Sequence, residues 1–196
     1  MARIFQNEHI VFQVNFLVIT SLSLLTLPIR WTIAWTIAIF FHELCHYIAL
    51  HICKVPVFRI RVGAFGIDIQ TGSMTKGQEI ISALAGPLGS FLLLLLVRVF
   101  PYVSLCACGQ LLFNLIPIYP LDGGRALTGI CVLLFGEHKG FWICKVISVF
   151  FVTFLFCVSL ISSFYYNLGI APILISLLIV ARALKIPCKE RQLIVQ

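Results

Sequence analysis

The stretch WTIAWTIAIFFHELCHYIALHI, residues 31–52, combines a membrane-length apolar run with a cluster of ionisable side chains. As a helix it would measure about 33 Å, enough to cross the roughly 30 Å hydrocarbon core of a bilayer. His42 and His46 are one helical turn apart on one face, which allows two imidazoles to bind one zinc ion, and Glu43 beside them is a candidate general base. Each ionisable group at membrane depth costs about 3 kcal/mol, so this cluster indicates a function.

Two less specific interpretations of these residues stay open. The histidines could hold a structural zinc ion, or they could form a neutral hydrogen-bond cluster between helices. A structural site has no use for Glu43, which favours the catalytic interpretation. Cys45 lies within the same motif, but cysteines in apolar runs usually pack as small hydrophobic side chains.

The composition of the chain is that of a polytopic membrane protein. Of its 196 residues, 61% are hydrophobic and only 11% are charged, which excludes an ordinary soluble domain. The formal net charge of +7 is attributed to cytoplasmic loops and to contact with the lipid bilayer, so no nucleic-acid partner is expected. The eight cysteines include no Cys-x-x-Cys pair and are expected to be small buried side chains.

Hydropathy predicts an all-α polytopic membrane protein with about six transmembrane helices. The predicted spans are residues 9–27, 31–52, 80–99, 102–119, 142–163 and 168–184. The amphipathic, glycine-bearing stretch 121–140 is interpreted as a broken or interfacial helix. Residues 1–196 are expected to form a single membrane-embedded domain.

A small β-hairpin is predicted between the second and third helices. Apolar and polar residues alternate over Val57–Val62 and again over Ile67–Gln70, with Gly63 and Gly66 between the two runs. A helical substrate hides its peptide bonds, so an exposed strand could hold it in an extended form by backbone pairing. The alternative is a plain surface hairpin that covers the helices.

The distribution of basic residues predicts a multi-pass protein of the cell membrane with both termini in the cytoplasm. With six spans, twelve of the fourteen Lys and Arg residues fall on one side, and only Arg30 and Arg98 fall on the other. Lys54 then marks the cytoplasmic end of the second helix. It follows His46 by eight residues, which puts a metal site about 12 Å from the cytoplasmic surface.

A third zinc ligand is expected from elsewhere in the chain, because a catalytic zinc ion usually binds three protein side chains and a water molecule. Asp122 is the best candidate. It lies in the segment Asn-Leu-Ile-Pro-Ile-Tyr-Pro-Leu-Asp-Gly-Gly, residues 114–124, where two prolines break the helix and two glycines allow close backbone approach. The alternative is an Asp-Gly turn that caps a helix at the membrane surface.

The two motifs together resemble the site-2 protease family of intramembrane zinc metalloproteases. The family pairs His-Glu-x-x-His in one transmembrane helix with Asn-x-x-Pro-x-x-x-Leu-Asp-Gly-Gly in a later one, and this pairing is far more specific than either motif alone. The segment Ala-Gly-Pro-Leu-Gly-Ser, residues 85–90, is similar to the family's small-residue stretch between them. The chain looks most like the stage IV sporulation protein FB branch, because of its six predicted spans, its short N terminus and the sequence of Leu115–Arg125.

This resemblance implies roles for five residues. The zinc ligands would be His42, His46 and Asp122. Glu43 would activate water, and Asn114 would help to hold the substrate backbone. An interhelical polar contact is the alternative role of Asn114.

The resemblance also sets expectations about domains and partners. No PDZ domain and no C-terminal nucleotide-sensing domain are expected in the chain, so regulation by nucleotide is not carried over. The sporulation branch implies a membrane-associated pro-sigma factor as substrate and inhibitory membrane proteins as partners. The sequence leaves open whether the protein forms a homo-oligomer.

The favoured function is that of an intramembrane zinc metalloendopeptidase that cuts a membrane-associated protein near its cytoplasmic face. A metal-ion transporter is one alternative, since histidine and aspartate within a bundle can form an ion path, but the sequence shows no internal repeat of the kind that alternating access uses. A catalytically inactive membrane scaffold is the other alternative, and the intact Glu43 disfavours it.

Overall fold

The computed structural model describes residues 28–63 and 66–165 throughout, the segment 9–12, and the isolated residues 21, 24, 169, 172–174, 176, 177 and 180. Within these residues the chain is mostly helical, with one small sheet. Contacts divide the chain into two compact units, residues 1–115 and 116–196, and each is described by itself.

Three helices form the larger part of the first unit. They are α1 (Ile29–Ile52), α2 (Lys76–Leu94) and α3 (Pro101–Asn114). Their shared core consists mainly of small side chains, which let helix backbones approach closely. Its buried members are Ala34, Ala38, Leu93, Cys106 and Ala107.

The start of α2 is fixed to the end of α1 by polar contacts. Thr75 is the N-cap of α2 and forms a capping box with Gln78: the Thr75 hydroxyl accepts from the Gln78 backbone N–H, and the Gln78 side chain accepts from the Thr75 N–H. The Gln78 amide also donates to the carbonyl of Cys53 at 3.0 Å, just past the end of α1. This contact places the first turn of α2 beside the last turn of α1.

The small sheet of the first unit has three strands in the order β1-β2-β3. The strands are β1 (His9–Phe12), β2 (Val57–Gly63) and β3 (Gly66–Thr71). β2 and β3 form an antiparallel hairpin, and β1 pairs in parallel with β2, from His9 opposite Arg59 to Phe12 opposite Val62. A cluster that includes Leu50, Val55 and Val57 packs β2 against the end of α1.

The predicted first span, residues 9–27, is wrong at its start. Residues 9–12 form a strand, because the outer edge of β2 offers backbone hydrogen bonds to a segment rich in β-branched and aromatic side chains. Hydropathy does not distinguish such a segment from the start of an apolar helix, since both are continuous apolar runs. The remainder of this predicted span lies almost entirely outside the described residues.

The second unit contains α4 (Asp122–Phe135) and α5 (Glu137–Tyr165). Gly136, with φ 78°, ends α4 and allows the immediate start of α5. The two helices are in close contact, because a Cβ added at Gly140 would lie 2.6 Å from the backbone of Val132. The predicted broken helix over residues 121–140 is therefore α4 followed by the first turn of α5.

Three of the described helices are long and apolar enough to cross a membrane, namely α1, α2 and α5. Helix α3 has 14 residues and ends at Asn114, so it measures only about 21 Å and does not fill the predicted span 102–119. Its early end is explained by Pro117 and Pro120, which cannot continue a helix. The predicted sixth span, residues 168–184, falls mostly outside the described residues.

Candidate metal centre

His42 and His46 meet as a buried pair on α1. Their side chains are 2% and 7% exposed, and their Nε2 atoms are 3.2 Å apart. The ring planes are nearly perpendicular, at 80°, with ring centroids 4.8 Å apart. The one-turn spacing in the sequence thus brings two imidazole nitrogens to one point beside the helix.

The opposite nitrogen of each ring is held by α2. His46 Nδ1 lies 2.7 Å from the carbonyl oxygen of Ser82, and His42 Nδ1 lies 2.8 Å from the hydroxyl of Ser90. A carbonyl only accepts hydrogen bonds, so His46 Nδ1 carries the proton and donates it. In the neutral ring this leaves the lone pair on Nε2, which is the tautomer that a metal-binding histidine needs.

The His42–His46 pair fits a zinc ion by its geometry. Two nitrogens that each bind zinc at about 2.0–2.1 Å with tetrahedral angles are about 3.3 Å apart. The observed 3.2 Å agrees with this value. When both Nε2 atoms are unprotonated they repel each other at such a distance, and a cation that both can bind stabilises the arrangement.

Gly86 of α2 lies directly against this point. A Cβ added there would be 2.2 Å from His46 Nε2 and 2.6 Å from His42 Nε2. Three residues later, a Cβ added at Gly89 would be 2.4 Å from the Sγ of Cys45. The two glycines therefore allow α2 to pack closely on α1, and Gly86 in addition keeps the space beside the imidazoles clear.

Asn114 and Glu43 flank the histidine pair in different ways. The Nδ2 atom of Asn114, at the end of α3, lies 3.4 Å from His42 Nε2, so Asn114 contacts the candidate site from a third helix. This distance is long for a hydrogen bond, which favours a side chain that is available to a ligand. Glu43 follows His42 on α1 and is half-buried.

Asp122 belongs to the second unit, where it is the first residue of α4. It is buried, with 8% of its surface exposed. Arg125 is one turn away, with its Nη1 3.9 Å from Asp122 Oδ1, a separation too long for a tight bidentate pair. The N-cap position is taken by Leu121, so Asp122 is not the N-cap residue that the capping alternative requires.

The backbone before Asp122 folds tightly, as its prolines and glycines predict. A Cβ added at Gly124 would be 2.3 Å from the carbonyl carbon of Ile118, which is fully buried. Ser148 of α5 holds the same loop, since its hydroxyl donates to the Pro117 carbonyl and accepts from the Tyr119 N–H, both at 3.3 Å. The turn that precedes Asp122 is therefore well packed.

Sequence reasoning missed Ser82 and Ser90, which orient the two imidazoles. A signal for Ser90 was present, because Ser82, Gly86 and Ser90 recur every four residues and so form one small-residue face of α2. Ser82 acts through its backbone carbonyl, which every residue has, so its identity gives no such signal. The segment 85–90 is similar to the family's small-residue stretch, and this likeness by itself gives Ser90 no role. Its partner on α1 was not predicted, because helix periodicity does not specify which faces meet.

The chain has recognisable relatives among known proteins, although no protein-family model matches it. It is 30% identical over 148 residues to a curated zinc metalloprotease from Methanocaldococcus jannaschii, in an alignment that covers 67% of this chain. The chain spans less than half of that relative, 44% of its length. A solved site-2 protease from Methanocaldococcus jannaschii has a similar fold, with a TM-score of 0.63 and 26% identity over 89% of this chain and 88% of that one.

These likenesses agree with the chemistry of the site. The relative is a zinc metalloprotease, and the buried histidine pair has the geometry that zinc binding requires, with His46 in the tautomer that leaves Nε2 free to bind. The solved structure extends the likeness over most of the fold. Both findings support the site-2 protease family, which the two sequence motifs resemble.

Proposed function

We propose that this chain is an intramembrane zinc metalloendopeptidase that hydrolyses a peptide bond of a membrane-associated protein near the cytoplasmic face. The observation that carries the proposal is the buried histidine pair with its Nε2 atoms 3.2 Å apart. Ser82 and Ser90 engage both Nδ1 atoms, as the outer partners of metal-binding histidines do.

The mechanism uses three groups of the chain around that pair. Zinc, when bound there, would polarise the scissile carbonyl and make a water molecule acidic enough to lose a proton near neutral pH. Glu43, about 100° around the helix from His42, takes a proton from the attacking water and returns it to the leaving amine. Asn114 donates a hydrogen bond to the substrate carbonyl or to the developing oxyanion. No covalent intermediate with the protein is needed.

A test of the activity itself uses the whole chain purified in detergent and loaded with zinc. It is incubated with a mixture of synthetic peptides, and cleavage is measured by mass spectrometry before and after treatment with a zinc chelator. Cleavage that disappears with the chelator and returns with added zinc supports a zinc peptidase. Zinc transport into liposomes without any cleavage would instead support a transporter.

We propose Asp122 as the third zinc ligand. Two imidazoles and one carboxylate are a donor set that catalytic zinc sites use. Its support is that Asp122 is buried, is not the N-cap of its helix and lies in the Leu-Asp-Gly-Gly motif.

Replacing Asp122 by alanine should remove most bound zinc and all measurable cleavage, because two imidazoles alone bind zinc weakly at neutral pH. Metal analysis of the purified variant checks this. The matched control is Asp68→Ala, since Asp68 is the other aspartate of the chain, and this variant should retain zinc. Full zinc occupancy in Asp122→Ala would show that another group completes the site.

The membrane topology is a further part of the proposal. The twelve-to-two division of basic residues favours six spans with both termini cytoplasmic. Reporter fusions after Leu27 and Tyr166 should report the outer side, and fusions after Gly72, Lys139 and Gln196 should report the cytoplasm. A cytoplasmic signal after Tyr166 would mean that the helices around residues 121–140 are miscounted.

The hairpin gives the proposed enzyme a means of presenting a substrate. β3 is the terminal strand in the order β1-β2-β3 of the described residues, so it can offer backbone groups to an added strand. We propose that it holds the substrate in an extended form next to the site. The sequence of Leu115–Arg125 resembles the sporulation branch, and this favours a membrane-associated pro-sigma factor as substrate and inhibitory membrane proteins as partners. Co-expression of the chain with such a pro-protein tests this part of the proposal.

A further inference from the structure

One buried polar atom of the first unit has no hydrogen-bond partner among the described residues. Gln110 of α3 is 8% exposed, and its side-chain oxygen makes no hydrogen bond to any described residue. A buried acceptor without a partner destabilises a protein, and an apolar side chain of the same size would avoid that cost. Such a residue therefore suggests a ligand that supplies the missing donor.

The position of Gln110 connects it to the candidate metal centre. It precedes Asn114 by four residues, so the two side chains lie on the same face of α3, one turn apart. Asn114 is within 3.4 Å of His42 Nε2. On the same face, Ala107 is fully buried in the core formed with Ala34 and Ala38 of α1. Gln110 therefore lies between this packed core and the histidine pair.

The spacing of the two amides matches an extended peptide. Four residues of helix advance about 6.0 Å. In an extended chain, backbone groups that point to the same side recur every two residues, about 6.6–6.8 Å apart. A row of two amide side chains at this spacing can thus follow the backbone of one strand.

We propose that Gln110 is a substrate-binding residue whose side-chain oxygen accepts a backbone N–H of the extended substrate, two residues away from the group that Asn114 contacts. This proposal rests on the proposed peptidase function. The Gln110 oxygen would contact the substrate backbone and no side chain. It therefore favours a segment that is unwound at the level of Gln110, whatever its side chains are. A substrate that stays helical uses its N–H groups internally and cannot make this bond.

Two substitutions separate this role from a structural one. Gln110→Leu and Gln110→Met remove the acceptor and keep a similar volume. Because they remove a buried unpaired atom, they should leave the melting temperature in detergent unchanged or higher, and zinc content should stay the same. The control is Ser104→Ala on the same helix: the Ser104 hydroxyl donates to the Leu93 carbonyl at 2.7 Å, so this variant should lose stability and keep the wild-type KM.

The decisive measurement uses the peptide that the wild type cleaves best from the synthetic mixture. In both Gln110 variants its KM should rise about 3- to 10-fold with kcat nearly unchanged, as expected for one neutral hydrogen bond. A series of this peptide in which each non-scissile amide is replaced in turn by an ester removes one N–H at a time. One ester should raise the KM of the wild type by the same factor and leave the KM of Gln110→Leu unchanged.

The outcomes are distinguishable. If the wild type cleaves the peptide and Gln110→Leu has the same KM, or if no ester position loses its effect in the variant, the proposal for Gln110 is wrong and the peptidase function stands. A clear drop in melting temperature for both Gln110 variants would mean that Gln110 has a structural partner elsewhere in the chain, which also overturns the proposal. If the wild type cleaves no peptide at all, the peptidase function fails and the Gln110 proposal fails with it.

Discussion

Replacing Glu43 by glutamine is expected to leave zinc binding intact while it slows peptide hydrolysis by about 10²- to 10⁴-fold. Glutamine has the shape of the glutamate but cannot take a proton from water, so only the general base is lost. The zinc content, measured by metal analysis of the purified variant, should equal that of the wild type. Cleavage of the best peptide at saturating concentration gives the change in kcat.

Two further variants are the controls for this result. His42→Ala should lose both zinc and activity, because it removes a ligand. Glu79→Gln removes the charge of another glutamate, which pairs with Lys76 at 3.1 Å near the surface, and it should change neither quantity measurably. Normal cleavage by Glu43→Gln would show that another residue is the base, and the proposed mechanism would be wrong.

The local part of the site could be predicted from the sequence because it depends on one helix. His42 and His46 converge since a helix returns to the same face after four residues, whatever its neighbours are. For the same reason the predicted span, residues 31–52, agrees with α1, Ile29–Ile52, except for two residues at its start. The alternation after Pro56 likewise indicates strands, and the structure has a hairpin of Val57–Gly63 and Gly66–Thr71.

Features that depend on contacts between distant segments could not be predicted. Residues 9–12 have the hydropathy of an apolar helix, and the backbone partner that makes them strand β1 is β2, about 50 residues further along the chain. Ser82 and Ser90 have no metal-binding chemistry of their own, and their role appears only when α2 packs against α1. The end of α3 is a local feature instead: hydropathy placed it five residues too late because it measures only apolarity, although Pro117 in the sequence already indicates a break.

Gly86 shows how much the site depends on that helix packing, and Gly86→Ala is expected to lower zinc affinity by more than about 100-fold, the upper end of what losing a supporting group costs. The added Cβ would lie 2.2 and 2.6 Å from the two Nε2 atoms, close to the 2.0–2.1 Å at which zinc binds nitrogen. It would thus clash with both nitrogens that must bind the ion. The imidazoles cannot easily move aside, because Ser82 and Ser90 hold their other nitrogens. Zinc titration of the purified variant measures the effect.

Two other glycines of α2 separate loss of the ion from loss of packing. Gly77 has no atom within 4 Å of an added Cβ, so Gly77→Ala should bind zinc normally and be slightly more stable, as alanine is the better helix former. Gly89→Ala would clash with the Sγ of Cys45 and not with the imidazoles, so it should lower stability by about 1–3 kcal/mol, and Cys45→Ala should restore it. Gly86→Ala should instead lose zinc whether or not Cys45 is changed. Stoichiometric, tight zinc binding by Gly86→Ala would mean that the added methyl group does not displace the two imidazoles from the positions that bind the ion.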